Sequence, residues 1–424
     1  MLHLPQIMPL TTLKKPNITL QSLPNPKKIQ KLRIALYSHD TMGLGHKRRN
    51  LLIAQSLAHS ALNADILVIS GMSDMTKVGT HPNIEYITLP ALYKTKDGQY
   101  QARRLDMSLD DIIKLRSQVI RATIKNFQPD VFIVDNVPRG AMGELDRTLK
   151  YLRNQGKTHC ILGLRDILDQ PEVIIPSWKK AKNEEMIARY YDNVWIYGDP
   201  NVYDLVKEYH FSAEVAAKIR YTGYLDQRDR LNYAKSEEKQ PITQKSERLA
   251  LCLVGGGQDG YQLAKGFAQA ELPYNSHGII ITGPLMPSQL RQQLHHEAKN
   301  RPNLQVLDYV SEPTLWLQKA DFVVAMGGYN TTCEILSFEK RALIVPRIKP
   351  REEQLIRAQR LQALGLVDML HPHNVNAEAL SQWLCQDVVK PNVHENIDFR
   401  GLHRIPQYLG EMLRENDPRF LKVS

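Results

Sequence analysis

The stretch that most constrains the fold is 321–334, DFVVAMGGYNTTCE. FVVA predicts a short strand buried in a parallel sheet, Gly327 and Gly328 end it, and the small and apolar residues from Thr331 onward predict a helix. A strand, a glycine turn and a helix start together make an anion site. The glycines let a phosphate approach the backbone, and the unpaired N–H groups with the positive end of the helix dipole favour negative charge. Asn330 and Thr331 belong to the same turn, and Glu334 falls one helical turn further on, within reach of a ribose diol beside such a phosphate. The next strand, 341–346, leaves through a loop carrying Glu353 and Gln354, polar groups suited to sugar hydroxyls. A nucleotide-sugar site fits this pattern. A structural role fits it too, because Thr331-Thr332-Cys333-Glu334 spells a capping box in which Thr331 caps the helix and Glu334 folds back onto its amide. The segment alone leaves both roles of Glu334 open.

At 424 residues the chain is long enough for two or three domains. Residues 1–31 read as a tail. From residue 32, apolar runs alternate with helical patterns: strands are expected at 32–38, 65–70, 84–89, 131–134, 160–164 and 194–197. The polar segment 226–248 lacks periodicity and reads as an interdomain linker, polar enough to let two domains close on a ligand. A second alternating set follows, with strands expected at 249–254, 278–282, 304–307, 322–325, 341–345 and 366–370. Helical patterning in 396–416 suggests a segment that packs back across the first domain. The expected architecture is α/β, two tandem Rossmann-like domains, 32–225 and 249–395, with a C-terminal helical segment 396–424 and the active site between the domains.

Ligands in such sheets bind beyond the carboxyl ends of the strands. The loop after the first strand holds Gly43, Gly45 and His46, with Arg49 just beyond. Asp135, Asn136 and Arg139 follow the 131–134 strand, and Arg165 and Asp166 follow 160–164. Arg49 and Arg165 are candidate phosphate or acceptor contacts. In the second domain, Gly255, Gly257 and Gly260 fit G-x-G-x-x-G, but the following strand ends in Thr282-Gly283-Pro284 without the acidic residue a dinucleotide fold needs for ribose. The loop, with Gly256 and Gly257, is better suited to phosphate or acceptor.

Composition narrows the classes further. A hydrophobic fraction of 42% and a charged fraction of 24% are those of a globular protein. The formal charge of +10 comes from 55 basic and 45 acidic residues scattered without a long basic run, which argues against a nucleic-acid partner. Lysines 14, 15, 27, 28 and 31 concentrate charge near the start, as a solvated tail or as an attachment to an anionic membrane face. No run reaches the roughly 20 apolar residues of a membrane span, and no signal peptide is evident, so the chain reads as cytoplasmic with peripheral contact at the inner membrane face open to it. Cys160, Cys252, Cys333 and Cys385 are widely spaced and read as free thiols, with no metal-ligand spacing.

These motifs together resemble the GT-B glycosyltransferases, and within them glycosyltransferase family 28, typified by the peptidoglycan N-acetylglucosaminyltransferase. The resemblance spans roughly residues 32–370 and is strongest over 326–358, where Gly327, Gly328, Thr332, Glu334, Pro346, Gln354 and Ala358 fall at the family's spacing. It implies that Glu334 bonds the ribose, that the turn before it meets the diphosphate, and that Gln354 with Glu353 holds the sugar. It also implies that His46 faces the diphosphate and acceptor from the other domain. The chain departs from the family at Pro350-Arg351-Glu352, where members often carry Asp or His, and this bears on the choice of sugar. The expected reaction is metal-independent transfer with inversion from a UDP-sugar, which is a substrate, so that no cofactor is required. His46 and then Asp135 are the candidate bases for an unidentified acceptor, whether glycan, lipid-linked or small molecule. A sugar-nucleotide 2-epimerase and a non-catalytic nucleotide-sugar-binding protein are the alternatives.

Overall fold

Continuously apolar runs become strands covered on both faces. Val131–Asp135 and Phe322–Ala325 are buried at every position, the pattern of parallel strands with helices on either side. The computed structural model describes residues 31–39, 45–71, 81–94, 100–233, 248–386 and 390–416. The expected tail up to residue 30, Gly43 and the expected linker from 234 to 247 lie outside the described residues.

Among the described residues, the first sheet has seven parallel strands. Their order across the sheet is Ile84–Thr88, Asp65–Ser70, Arg33–Ser38, Val131–Asp135, His159–Arg165, Asn193–Tyr197 and Ile219–Tyr221. The second has six parallel strands, ordered Leu304–Leu307, Ser276–Ile281, Arg248–Leu253, Phe322–Ala325, Arg341–Ile344 and Asp368–Met369. Both sheets start in the middle, build to one edge, then return to the other side of their first strand. That reversal opens a crevice between the two central strand ends, where ligands of such sheets bind. His46 and Asp135 follow the two central strands of the first sheet, and Gly256 and Gly327 follow those of the second. Topology alone therefore brings the expected site residues to the sheet edges that matter.

The short strand Ile219–Tyr221 and the antiparallel pair Leu92–Lys94 and Tyr100–Ala102 were not expected. Three residues are too few to display alternation. All four cysteines are free, three buried and Cys385 exposed. No helix among the described residues is long and apolar enough to cross a membrane.

The chain passes between the lobes twice, and the two crossings run side by side: Tyr224 N donates to Asp398 O at 2.7 Å and Gly401 N to Tyr224 O at 3.0 Å. The helix Gly401–Asn416 then lies on the first lobe. Ser56 Oγ of the helix Gly45–His59 donates to Leu402 O at 2.8 Å, and Arg404 Nη1 to Thr222 O at 3.1 Å. Tyr224 stacks on Tyr329 and on Phe399, with centroids 6.4 and 5.6 Å apart, so one apolar cluster continues from lobe to lobe while the sheets stay separate. The start of the expected linker is also folded. Gln227–Asn232 is a 3-10 helix whose Gln227 N donates to Ser337 Oγ at 2.9 Å, and Arg230 is buried. Polarity here signalled groups engaged with backbone and carboxylates, and a free polar hinge is not what residues 226–233 provide.

Candidate active site

A cleft of about 390 Å³ lies where the two sheet edges face one another. Gly45, His46, Arg48, Arg49, Arg103 and Arg165 line it from the first lobe, and the loops holding Gly256, Gly328, Glu334, Glu353 and Gln354 line it from the second.

His46 and Arg49 are three apart on the helix Gly45–His59 and so share a face. Both turn to Asp135 at the end of its strand. His46 Nδ1 lies 2.5 Å from Asp135 Oδ2, and Arg49 Nη2 lies 2.6 Å from Asp135 Oδ1 and 2.8 Å from Oδ2. Asp135 is 1% exposed. Burial alone would raise its carboxyl, but Arg49 and then His46 hold it well below the usual range. An ionised carboxylate only accepts, so His46 Nδ1 carries the hydrogen, and in the neutral ring the lone pair is on Nε2. Arg49 Nη2, 3.1 Å from the same Nδ1, lies beside that bond rather than in one. Asp135 does not line the cleft, which corrects its candidacy as a base: it orients His46. Arg49 lines the cleft but is held by Asp135, with its guanidinium over the Tyr329 and Tyr197 rings at 5.5 and 5.9 Å. His39 sits behind His46, ring centroids 4.9 Å apart, and burial and then His46 push it down to about 3, which keeps it neutral.

In the second lobe the helix runs Tyr329–Ser337 with Gly328 at its N-cap, and the first helical bond is Thr332 N to Gly328 O at 2.9 Å. The amides of Tyr329, Asn330 and Thr331 precede that bond. The capping box is therefore overturned: Thr331 is already inside the first turn, and Glu334 Oε1 is 2.7 Å from Arg48 Nη2 instead of turning back. Glu334 is 3% exposed, yet it lines the cleft, and its Oε2 has no protein partner among the described residues. Burial raises its carboxyl by more than Arg48 and Arg230 lower it. Gly328 has open space where a Cβ would stand, whereas a Cβ at Gly327 would meet Gln354 O at 3.2 Å. Asn330 Nδ2 bridges to Gly45 O at 2.9 Å.

Two expected contacts, Thr332 and Gly257, fall elsewhere, as does the loop residue Arg139. Thr332 is buried away from the cleft, its hydroxyl unpaired. Gly257, at φ +91°, packs where a Cβ would meet Thr282 O at 2.3 Å, so it serves the turn, while Gly256 lines the cleft. Arg139 turns to Asp146. Gln354 Oε1 accepts from Arg347 N at 3.0 Å, and Glu353 Oε1 from Arg347 Nη2 at 2.9 Å, while Glu353 Oε2 is buried without a partner. Arg165 reaches only Asn136 Oδ1, at 3.4 Å, and burial followed by Arg49 pushes it down to about 10. It is a guanidinium in the cleft that makes no ion pair among the described residues, with Glu353 and Asp166 acting on it only from further off.

Sequence reasoning missed Arg48, which pairs with Glu312 at 2.7 Å as well as with Glu334. Helical phasing was the available signal, since neighbouring Arg48 and Arg49 must face different ways. Burial alone would raise Glu312, but Arg48 and then Arg230 hold it down at about 2. A carboxylate lowered by folding contributes stability that is complete above its unfolded value, near 4, and is lost as the pH falls through its folded value. Glu334, raised by burial, works in the opposite sense. Since Asp135 and Glu312 together outweigh it, the melting temperature is expected to hold from pH 7 to about 5 and to fall between about 4.5 and 2. Thermal melts across that window check it, and a flat profile would mean these pairs add nothing.

The cleft between two Rossmann-like lobes, with a histidine on one side and a glycine turn on the other, defines a GT-B architecture. The calicheamicin glycosyltransferase CalG4 has the same fold at TM-score 0.58 and 13% identity, covering 92% of this chain and 100% of that one. So does the UDP-GlcNAc 2-epimerase from Methanocaldococcus jannaschii, at TM-score 0.59 and 13% identity over 90% and 99% of the two chains. Residues 250–396 match the model of the glycosyltransferase family 28 C-terminal domain. An uncharacterized glycosyltransferase of Methanosarcina mazei is 23% identical over 308 residues, 72% of this chain and 77% of the relative. The UDP-N-acetylglucosamine--N-acetylmuramyl-(pentapeptide) pyrophosphoryl-undecaprenol N-acetylglucosamine transferase of Alkaliphilus metalliredigens is 22% identical over 313 residues, 72% and 79% of the two. The protein is a glycosyltransferase built on the GT-B plan, resembling family 28 through its second lobe.

Proposed function

We propose that the protein transfers a sugar with inversion from a UDP-sugar to an acceptor that carries an anionic group. The observation that carries this reading is His46, its Nδ1 held by Asp135 and its Nε2 free, in the same cleft as the Gly328 turn and Glu334. The diphosphate would lie on the amides of residues 329–331, the ribose on Glu334 Oε2, and the sugar between Glu353 and the Gln354 amide. The acceptor hydroxyl gives its proton to His46 Nε2 as its oxygen attacks the anomeric carbon. The bond from that carbon to the diphosphate breaks on the opposite face, and UDP leaves with its charge met by the helix start and by arginine. Asp135 stabilises the imidazolium until its proton is lost to water.

Of the arginines at the cleft, Arg48 and Arg49 are held by carboxylates, while Arg103 and Arg165 make no ion pair among the described residues, and these two favour a phosphate- or carboxylate-bearing acceptor over a neutral one. The lipid pyrophosphate named for the Alkaliphilus relative is of that kind. Exposed Leu105 and Met107 follow exposed Arg103 and Arg104, a surface suited to resting on an anionic membrane. A cytoplasmic enzyme working at that surface would meet both substrates.

A thermal-shift screen of nucleotides, followed by UDP release from UDP-sugars with lipid extracts, tests the reading. Epimerised nucleotide sugar without transfer would replace it with the epimerase. Glu334→Gln is expected to weaken UDP binding by about 1–3 kcal/mol through loss of a charged hydrogen bond to ribose. Calorimetry checks this, and unchanged affinity in a folded variant would leave Glu334 only its bridge to Arg48.

A further inference from the structure

One buried polar contact between the lobes is not used by the chemistry above. Arg357, on the helix Glu353–Ala363 of the second lobe, meets Asp166, which follows a strand of the first. Arg357 Nε donates to Asp166 Oδ2 at 2.8 Å and Nη2 to Oδ1 at 2.7 Å, and each side chain is 1% exposed. The third nitrogen, Nη1, donates to Gly327 O at 2.9 Å. Tyr224 OH, at the lobe crossing, donates to Asp166 Oδ2 at 3.1 Å.

Adhesion alone does not explain the pair. A buried ion pair is often no more stabilising than an apolar pair of similar volume, and an apolar seam already joins the lobes. A rigid guanidinium fork adds direction, fixing its acceptor oxygens at set angles. Here those oxygens belong to the first lobe and to the glycine turn, and the fork rides on the helix that begins with Glu353 and Gln354. Gly327 packs on that helix as well.

We propose that Arg357 is a positioning residue that sets the register between the second lobe's donor-holding turn and the first lobe, so that His46 faces the bound sugar at attacking distance. The proposal rests on the glycosyl-transfer reading, and its test is built to fail separately.

Asp166→Leu with Arg357→Met replaces the pair by apolar side chains, and Arg357→Lys keeps the charge but loses the fork. Register is read by a short bis-maleimide across Gln170→Cys and Glu352→Cys, positions whose side chains are hydrogen-bonded across the lobe boundary, in a Cys385→Ser background. In the double variant, crosslinking is expected to slow about fivefold as the fixed arrangement gives way to several. Turnover should fall about 100-fold, the effect of an ångström-scale misplacement, with UDP affinity within about threefold. Arg357→Lys should move both readouts in the same direction by less, and it decides the matter alone if the double variant does not fold. Unchanged crosslinking, or a loss of UDP affinity as large as the loss of turnover, would overturn the proposal. Should the wild-type protein transfer from no nucleotide sugar, the transferase reading falls, and crosslinking still decides the positioning.

Discussion

His46→Ala is expected to lower turnover by about 100-fold or more while UDP affinity stays within about threefold, because general-base catalysis is typically of that size and acts on the transition state alone. Burial of the ring is incomplete, 17% of the side chain being exposed, so folding should survive. Single-turnover kinetics with calorimetry of UDP binding separates the two quantities. If affinity and turnover fell together, the imidazole would be a diphosphate ligand instead. Wild-type turnover would exclude both roles.

Asp135→Asn should have a comparable effect by a different route. An amide can donate to Nδ1, which favours the tautomer with hydrogen on Nε2 and takes the lone pair away from the cleft. Turnover is expected to fall about 100-fold or more, and raising the pH should not restore it, since the tautomer and not the charge is wrong. Arg49 also loses its carboxylate while 2% exposed, so this variant should be destabilised by about 3 kcal/mol, within the range for breaking a buried pair. His46→Ala should not be. A pH profile of turnover together with denaturant melts distinguishes the two variants, and an Asp135→Asn protein with wild-type turnover would remove Asp135 from the mechanism.

Much of this was legible from residues alone, and the legible part has a common cause. Parallel strands buried on both faces read as apolar runs, so segments such as 65–70, 304–307 and 322–325 were placed to the residue. The glycine turn before Tyr329 was legible because two glycines between a strand and a helix serve few other purposes. Pairings were not legible. His46 and Asp135 looked like rival bases, and nothing local says that residues 89 positions apart share a hydrogen bond. Glu334 carried a local signal for capping that lost to Arg48, 286 positions away. Nothing in the sequence singles out Arg230 or Arg357, since a buried arginine and an exposed one have the same neighbours in sequence. Their burial is decided by carboxylates and carbonyls that only the fold supplies.

The helix Gly401–Asn416 has a consequence for how the molecule is made. It belongs to the first lobe in space and is the last helix of the described chain to be synthesised. Ser56 waits for Leu402, 346 positions later, which at about 5–20 residues per second is roughly 17 to 70 s of translation. Throughout that interval the flank that will cover Leu402, Ile405, Leu409 and Leu413, all buried in the finished protein, stands bare on the nascent chain. The second lobe, continuous in sequence, can complete itself meanwhile. Assembly therefore runs against the order of the lobes, and a ribosome that stops before residue 401 releases a finished second lobe attached to an unfinished first one.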